Sequence, residues 1–124
     1  IMTIRSIRVS HIVLSTKDIA DLLLDNLKSC ESNELMLKMF SKLAKKYSAC
    51  GTSKKGGDLG FLEFNTAAPE LEEAAMKASV GEVSGPVKSK FGYHIFVVTE
   101  EEKMVDTGID GLTGTSIGAG DGTL

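Results

Sequence analysis

The sequence predicts an α+β domain, with helices packed on a small sheet in the order β-α-α-β-α-β-β. Three observations carry this expectation. Two stretches of helical apolar spacing follow the first β-branched run. Pro69 opens a third helix after a short intervening strand. The strongest strand signal, residues 93–99, comes straight after a Phe91-Gly92 turn, as expected for an antiparallel pair.

Residues 7–14 alternate and are rich in β-branched side chains, which places Ile7, Val9, His11 and Val13 on one strand face. Ser15-Thr16-Lys17-Asp18 offers capping groups for a helix whose apolar positions are Ile19, Leu22, Leu23 and Leu27. After the polar break at 29–33, residues 34–47 read as a second helix, with Leu35, Leu37, Met39, Phe40, Leu43 and Ala44 as its apolar stripe. Glycine and lysine mark residues 51–57 as a loop, and residues 58–64 as a short second strand. Pro69 suits the first turn of a helix over 69–77, with Glu70, Glu72 and Glu73 near its positive end. Residues 83–87 contain Gly85-Pro86, which confines that strand to an edge or bulge. In the last strand His94, Phe96 and Val98 share a face. Residues 1–102 thus form the folded domain. Residues 103–124, glycine-rich and without periodicity, are expected to be a flexible acidic tail.

The 124 residues fit one domain, and no apolar run reaches the roughly 18 residues of a membrane span. The net charge of -3 is uneven: from Glu100 onward six acids face the single Lys103, and the rest of the chain is slightly positive. The lysines at 42, 45, 46, 54 and 55 read as a solvated helix face and turn, so neither a nucleic acid nor a membrane is an expected partner. Two cysteines, Cys30 and Cys50, are too few for a secreted disulfide framework, and the first residues lack the pattern of a signal peptide. A cytoplasmic monomer is expected. The isoleucine ahead of Met2 suggests a fragment boundary.

Three blocks in matching order resemble the parvulin family over residues 7–100. They are Val9-Ser10-His11-Ile12-Val13-Leu14; residues 40–50, which continue through Lys54-Lys55-Gly56-Gly57-Asp58-Leu59-Gly60; and Gly81-Glu82-Val83-Ser84-Gly85-Pro86-Val87 with Phe91-Gly92-Tyr93-His94-Ile95. The resemblance implies a four-stranded antiparallel sheet surrounded by helices and a peptidyl-prolyl cis/trans isomerase that uses no metal or cofactor. Its partners would be proline-containing peptides and unfolded proteins. His11 and His94 would be the paired interior histidines, and Cys50 the residue facing the prolyl amide in a non-covalent role; a nucleophilic role would need an activated thiol and a placed base. Leu59, Thr66, Ala67, Leu71, Ser89 and Phe91 fall where the family lines its substrate site. A histidine on an apolar strand face is otherwise a satisfied core residue, and an isolated cysteine a small hydrophobe. His11, Cys30, Cys50 and His94 lack the short spacings of a zinc site.

Two departures qualify the resemblance. Where the family commonly has Gln-Met and then Phe, this chain has Thr66, Ala67 and Leu71, which predicts a shallower proline pocket. The loop after the first strand carries one base and one acid, and no tryptophan is present to build a WW domain, so recognition is not expected to be directed to phosphate. A peptide-binding or chaperone-like module with weak or lost activity is the alternative reading.

Overall fold

The structure, a computed structural model, describes residues 2–106. Its elements are β1 (Met2–Leu14), α1 (Lys17–Lys28), α2 (Asn33–Tyr47), a 3-10 turn (Gly51–Lys55), β2 (Asp58–Phe61), α3 (Pro69–Lys77), β3 (Ser84–Ser89) and β4 (Gly92–Asp106). The four strands form an antiparallel sheet in the order β2-β1-β4-β3, so the two histidine-bearing strands are its central neighbours. The expected element order is therefore the observed one. β4 runs through Asp106, past residue 102, where the tail was expected to begin; residues 107–124 lie outside the described residues.

Residues 7–100 form one compact unit, which carries the two cores and the site below. The described part of the second unit is the start of β1 and the end of β4, where Arg5 pairs with Glu101.

Period-two alternation sends successive residues of β1 and β4 to opposite faces. On one face Ile12, Leu14, Ile95 and Val97 pack against Leu23, Leu24 and Leu27 of α1 and Met36, Phe40 and Ala44 of α2. On the other, Ile7, Val9, Phe96 and Val98 pack against Leu71 and Ala75 of α3. The helical stripes differ in part from expectation. Ile19, Leu22, Leu35, Leu37 and Met39 are exposed, whereas Ala20, Leu24 and Met36 are buried. Each helix carries apolar residues over more than half its circumference, and the sheet selects the 20-23-24-27 and 36-40-44 rows.

Side-chain caps fix both N-termini: Thr16 accepts from Ile19 N–H, and Ser32 from Leu35 N–H. β2 is held on β1 by Arg8, whose guanidinium forks onto Asp58 while Asp58 also accepts from Gly60 N–H. Gly57 lies so close to β1 that a Cβ would press into the His11 carbonyl oxygen, and its φ of +84° is in the left-handed region. Its own carbonyl accepts from His11 N–H at 2.9 Å, which seats the loop against the strand that carries the histidine.

Candidate active site

His11 of β1 and His94 of β4 face each other on the α3 side of the sheet, 5 % and 2 % exposed. Their Nδ1 atoms are 3.1 Å apart, and the rings are stacked at 5.2 Å with 23° between planes. His11 Nε2 lies 3.2 Å from Cys50 Sγ, and His94 Nε2 lies 2.6 Å from Ser89 Oγ. Thr52 donates its hydroxyl to Cys50 Sγ at 3.3 Å, and Phe91 N–H donates to Ser89 Oγ at 3.1 Å. The result is one row of polar groups, Thr52–Cys50–His11–His94–Ser89, laid across an apolar sheet face.

Cys50 is placed by the chain leaving α2. Ala49 N–H donates to Val13 O at 2.9 Å, and Ser48 Oγ accepts from both Val13 N–H and Cys50 N–H, so the segment is tied to β1 beside His11.

Burial, and the facing His94, push the His11 pKa down from 6.5 to about 4. Burial lowers His94 as well, partly offset by Glu70. Both rings are neutral at pH 7. One proton lies between the two Nδ1 atoms, and this leaves two tautomer pairs that satisfy the row. In one, His11 donates to His94, accepts from the Cys50 thiol, and His94 Nε2–H donates to Ser89. In the other, His94 donates to His11, accepts from the Ser89 hydroxyl, and His11 Nε2–H donates to Cys50 Sγ. The row can therefore present either a donor or an acceptor at its Cys50 end without gaining charge.

Above this row opens a cleft of about 650 Å³. His11, Cys50 and His94 form its polar base, beside Val13, Ala49 and Gly51. Leu59, Phe61 and Leu62 make one apolar wall. Glu63, Thr66, Ala67 and Ala68 make another, and Phe91 stands at the rim, 62 % exposed. Of the residues expected at the site, His11, Cys50, His94, Leu59, Thr66, Ala67 and Phe91 line this cleft. Leu71 and Ser89 do not. Leu71 is fully buried in the core beneath α3, in an i,i+4 row with Ala75, and Ser89 lies under His94 as its hydrogen-bond partner. Cys30 lies apart, its thiol donating to Asn26 O at the end of α1.

The sequence reading missed Thr52, Ser48 and the loop wall around Glu63. Glu72, expected only as an acid near the positive end of α3, is a buried carboxylate whose oxygens accept from Asn65 N–H at 3.1 Å and Ala67 N–H at 2.9 Å. These backbone donors, with Thr66 N–H, hold its carboxyl below the usual range. Glu72 is the fourth residue of the helix that Pro69 opens, one past the N3 position from which a capping-box carboxylate reaches back, so its spacing gives no capping-box signal. Among the described residues no cluster of three or more potential metal ligands occurs.

Residues 11–100 match the Rotamase family, the PPIC-type PPIASE domain. The chain belongs to this family. As a PPIC-type domain it is 45 % identical over 98 residues to foldase protein PrsA of Geobacillus kaustophilus, covering 78 % of this chain and 32 % of that protein. Its fold is similar to the crystal structure of the peptidylprolyl isomerase PrsA from Bacillus anthracis, with TM-score 0.69 and 35 % identity over 79 % of this chain and 42 % of that one. It is also similar to NmPin, the parvuline of Nitrosopumilus maritimus, with TM-score 0.63 and 41 % identity, covering 77 % of this chain and 96 % of that one. The chain spans about a third of the length of the curated foldases it matches. Nothing in these relatives supports the cytoplasmic placement expected from the cysteine count. Among the described residues no helix is long and apolar enough to cross a membrane.

Proposed function

We propose that this domain catalyses cis/trans rotation about X-Pro amide bonds in flexible or unfolded polypeptides, without a covalent intermediate and without recognising phosphate. One observation carries the reading: neutral His11 and His94 and the thiol of Cys50 form the base of an otherwise largely apolar cleft large enough for an X-Pro segment.

Amide resonance sets a barrier of about 18–20 kcal/mol and makes uncatalysed exchange take tens to hundreds of seconds. At the midpoint of rotation the nitrogen lone pair no longer conjugates with the carbonyl, and the amide is less charge-separated than when planar. A largely apolar cleft favours that state over the planar ones, and side chains that grip the proline ring and its neighbour stabilise the twist. The row supplies a weak hydrogen-bonding edge at Cys50 that serves the carbonyl oxygen as it turns, with no bond made to carbon.

The charge of the lining supports the absence of phosphate recognition. None of its residues is Lys or Arg, Glu63 is its one carboxylate, and Lys17 after β1 is paired with Asp21. A second reading, a peptide-holding module with weak turnover, is favoured by Ala67, which leaves the cleft wall without the larger side chain the family commonly places there. Exchange spectroscopy on tetrapeptides with Ala, Leu, Phe, Lys, Glu or phosphoserine before proline separates the two. The isomerase reading expects turnover on apolar and basic residues and least on Glu and phosphoserine. Binding without enhanced exchange anywhere in the panel would leave only the holding module.

A further inference from the structure

We propose that Glu72 is a positioning residue of the substrate site, because its carboxylate is the template on which the loop wall of the cleft is folded. This rests on the isomerase reading above.

Residues 62–68 connect β2 to α3 and supply Glu63, Thr66, Ala67 and Ala68 to the cleft. A loop that lines an open cleft has few neighbours to hold its backbone, and this one has no regular ladder. Its first residue is fixed, because Leu62 N–H donates to Ile7 O at 2.9 Å. Within it, Asn65 adopts φ +70°, a left-handed conformation that asparagine tolerates but does not itself enforce. The Thr66 hydroxyl folds back onto Glu63 O. At its far end Ala68 is the N-cap of α3 and has no side chain able to cap, so the helix start offers the loop no side-chain anchor of its own.

Glu72 fills that role from inside the helix. Its Oε1 accepts from Asn65 N–H and its Oε2 from Ala67 N–H, one on each side of Thr66, and the side chain is 6 % exposed. Two oxygens bridging alternate amides fix the turn at 65–67 and set the direction in which Thr66 and Ala67 face the cleft. Only a carboxylate supplies two acceptors here. Glutamine offers one, and its NH₂ would meet an amide N–H head-on. Glu72 does not touch the polar row itself, so its influence is on how well the wall grips a peptide rather than on the groups beneath the rotating bond.

The test compares Glu72→Gln, Glu72→Asp and the wild type by peptide affinity from NMR shifts, by exchange kinetics, and by hydrogen exchange of backbone amides. Ala75→Gly serves as the control, a change in α3 that costs helix stability and leaves the carboxylate in place. Charge-assisted hydrogen bonds to these partly buried amides imply a rise in KM and peptide Kd of about tenfold for Glu72→Gln, with kcat within about twofold. Protection should be lost at Asn65 and Ala67, and Glu72→Asp should recover part of both effects. The same KM rise in Ala75→Gly, or unchanged affinity in Glu72→Gln with those amides exposed, would overturn the proposal. Should Glu72→Gln fail to fold, Glu72→Asp decides: loosened 65–67 amides with weaker peptide binding support the role, and loosened amides with unchanged binding refute it. Because affinity is read without turnover, an inactive wild type would defeat the isomerase reading while leaving this one measurable.

Discussion

Acidification is the perturbation that acts most directly on the interior of this site. His11 has a pKa of about 4 in the folded chain against 6.5 when unperturbed, held down by burial and by the facing His94. Above pH 6.5 the ring is neutral whether the chain is folded or not, and its contribution to stability is constant. As the pH falls from 6.5 towards about 4, the unfolded chain takes up the proton and the folded chain does not, so stability is lost across that window and levels off below it. At 1.36 kcal/mol per pH unit the gap amounts to about 3 kcal/mol, a large share of the 5–15 kcal/mol typical of a domain. His94 is shifted the same way and adds to the loss. Asp58, whose pKa is lowered chiefly by its hydrogen bond from Arg8, loses stability in acid in the same direction as the histidines, but below their window. Urea unfolding followed by circular dichroism at pH 7.5, 6.5, 5.5 and 4.5 should show the midpoint falling by about 2 M. Glu70 is the carboxylate that acts on His94, and a His11→Gln variant should lose most of the slope between pH 6.5 and 4.5. Turnover should likewise persist to below pH 5. A flat midpoint over this range, or an NMR titration of His11 near 6.5, would refute the claim that the pair lies in a dry setting.

Other substitutions probe the walls. Ala67→Met adds apolar surface on one side of the cleft, and partial contact with a bound proline should lower KM about fivefold, measured on Leu-Pro peptides. Leu71→Phe, by contrast, overfills a fully buried position and should lower stability by about 1–3 kcal/mol in denaturant unfolding, with no gain in affinity. Gly57→Ala combines a positive φ with a clash against the His11 carbonyl and should destabilise strongly, displacing the His11 ring resonances. Thr52→Val removes the hydroxyl donor to Cys50 Sγ; it should lower kcat, with Thr52→Ser restoring it.

Much of this was legible in the sequence, for identifiable reasons. The α3 limits follow from Pro69, whose ring fixes the first helical turn, and the histidine faces follow from strict alternation in β1 and β4. Residues 2–6 were not read as strand, because a polar stretch with Arg5 and Ser6 shows no inward face to detect. The 3-10 turn at 51–55 is built from residues with no periodic signal. Leu71 was expected in the pocket from the family pattern; the i,i+4 relation to Ala75 instead points it at the sheet. Ser89 was placed at the right end of the site but one layer too high, because a hydroxyl's partner depends on the ring beside it. The hold of Glu72 on the loop is not legible in sequence because helix-start glutamates are usually solvated, and only the loop's path brings amides to it.

The proposed function requires that peptides containing proline lie in the cleft over His11, Cys50 and His94. Titrating ¹⁵N-labelled protein with a Leu-Pro tetrapeptide tests this in one experiment. The claim predicts that amide shifts concentrate at Cys50, Gly51, Leu59, Thr66, Ala67 and Phe91. Shifts concentrated instead around the second hollow, of about 260 Å³ beside Arg8, Ser41 and Lys55 on the opposite face of the sheet, would contradict it.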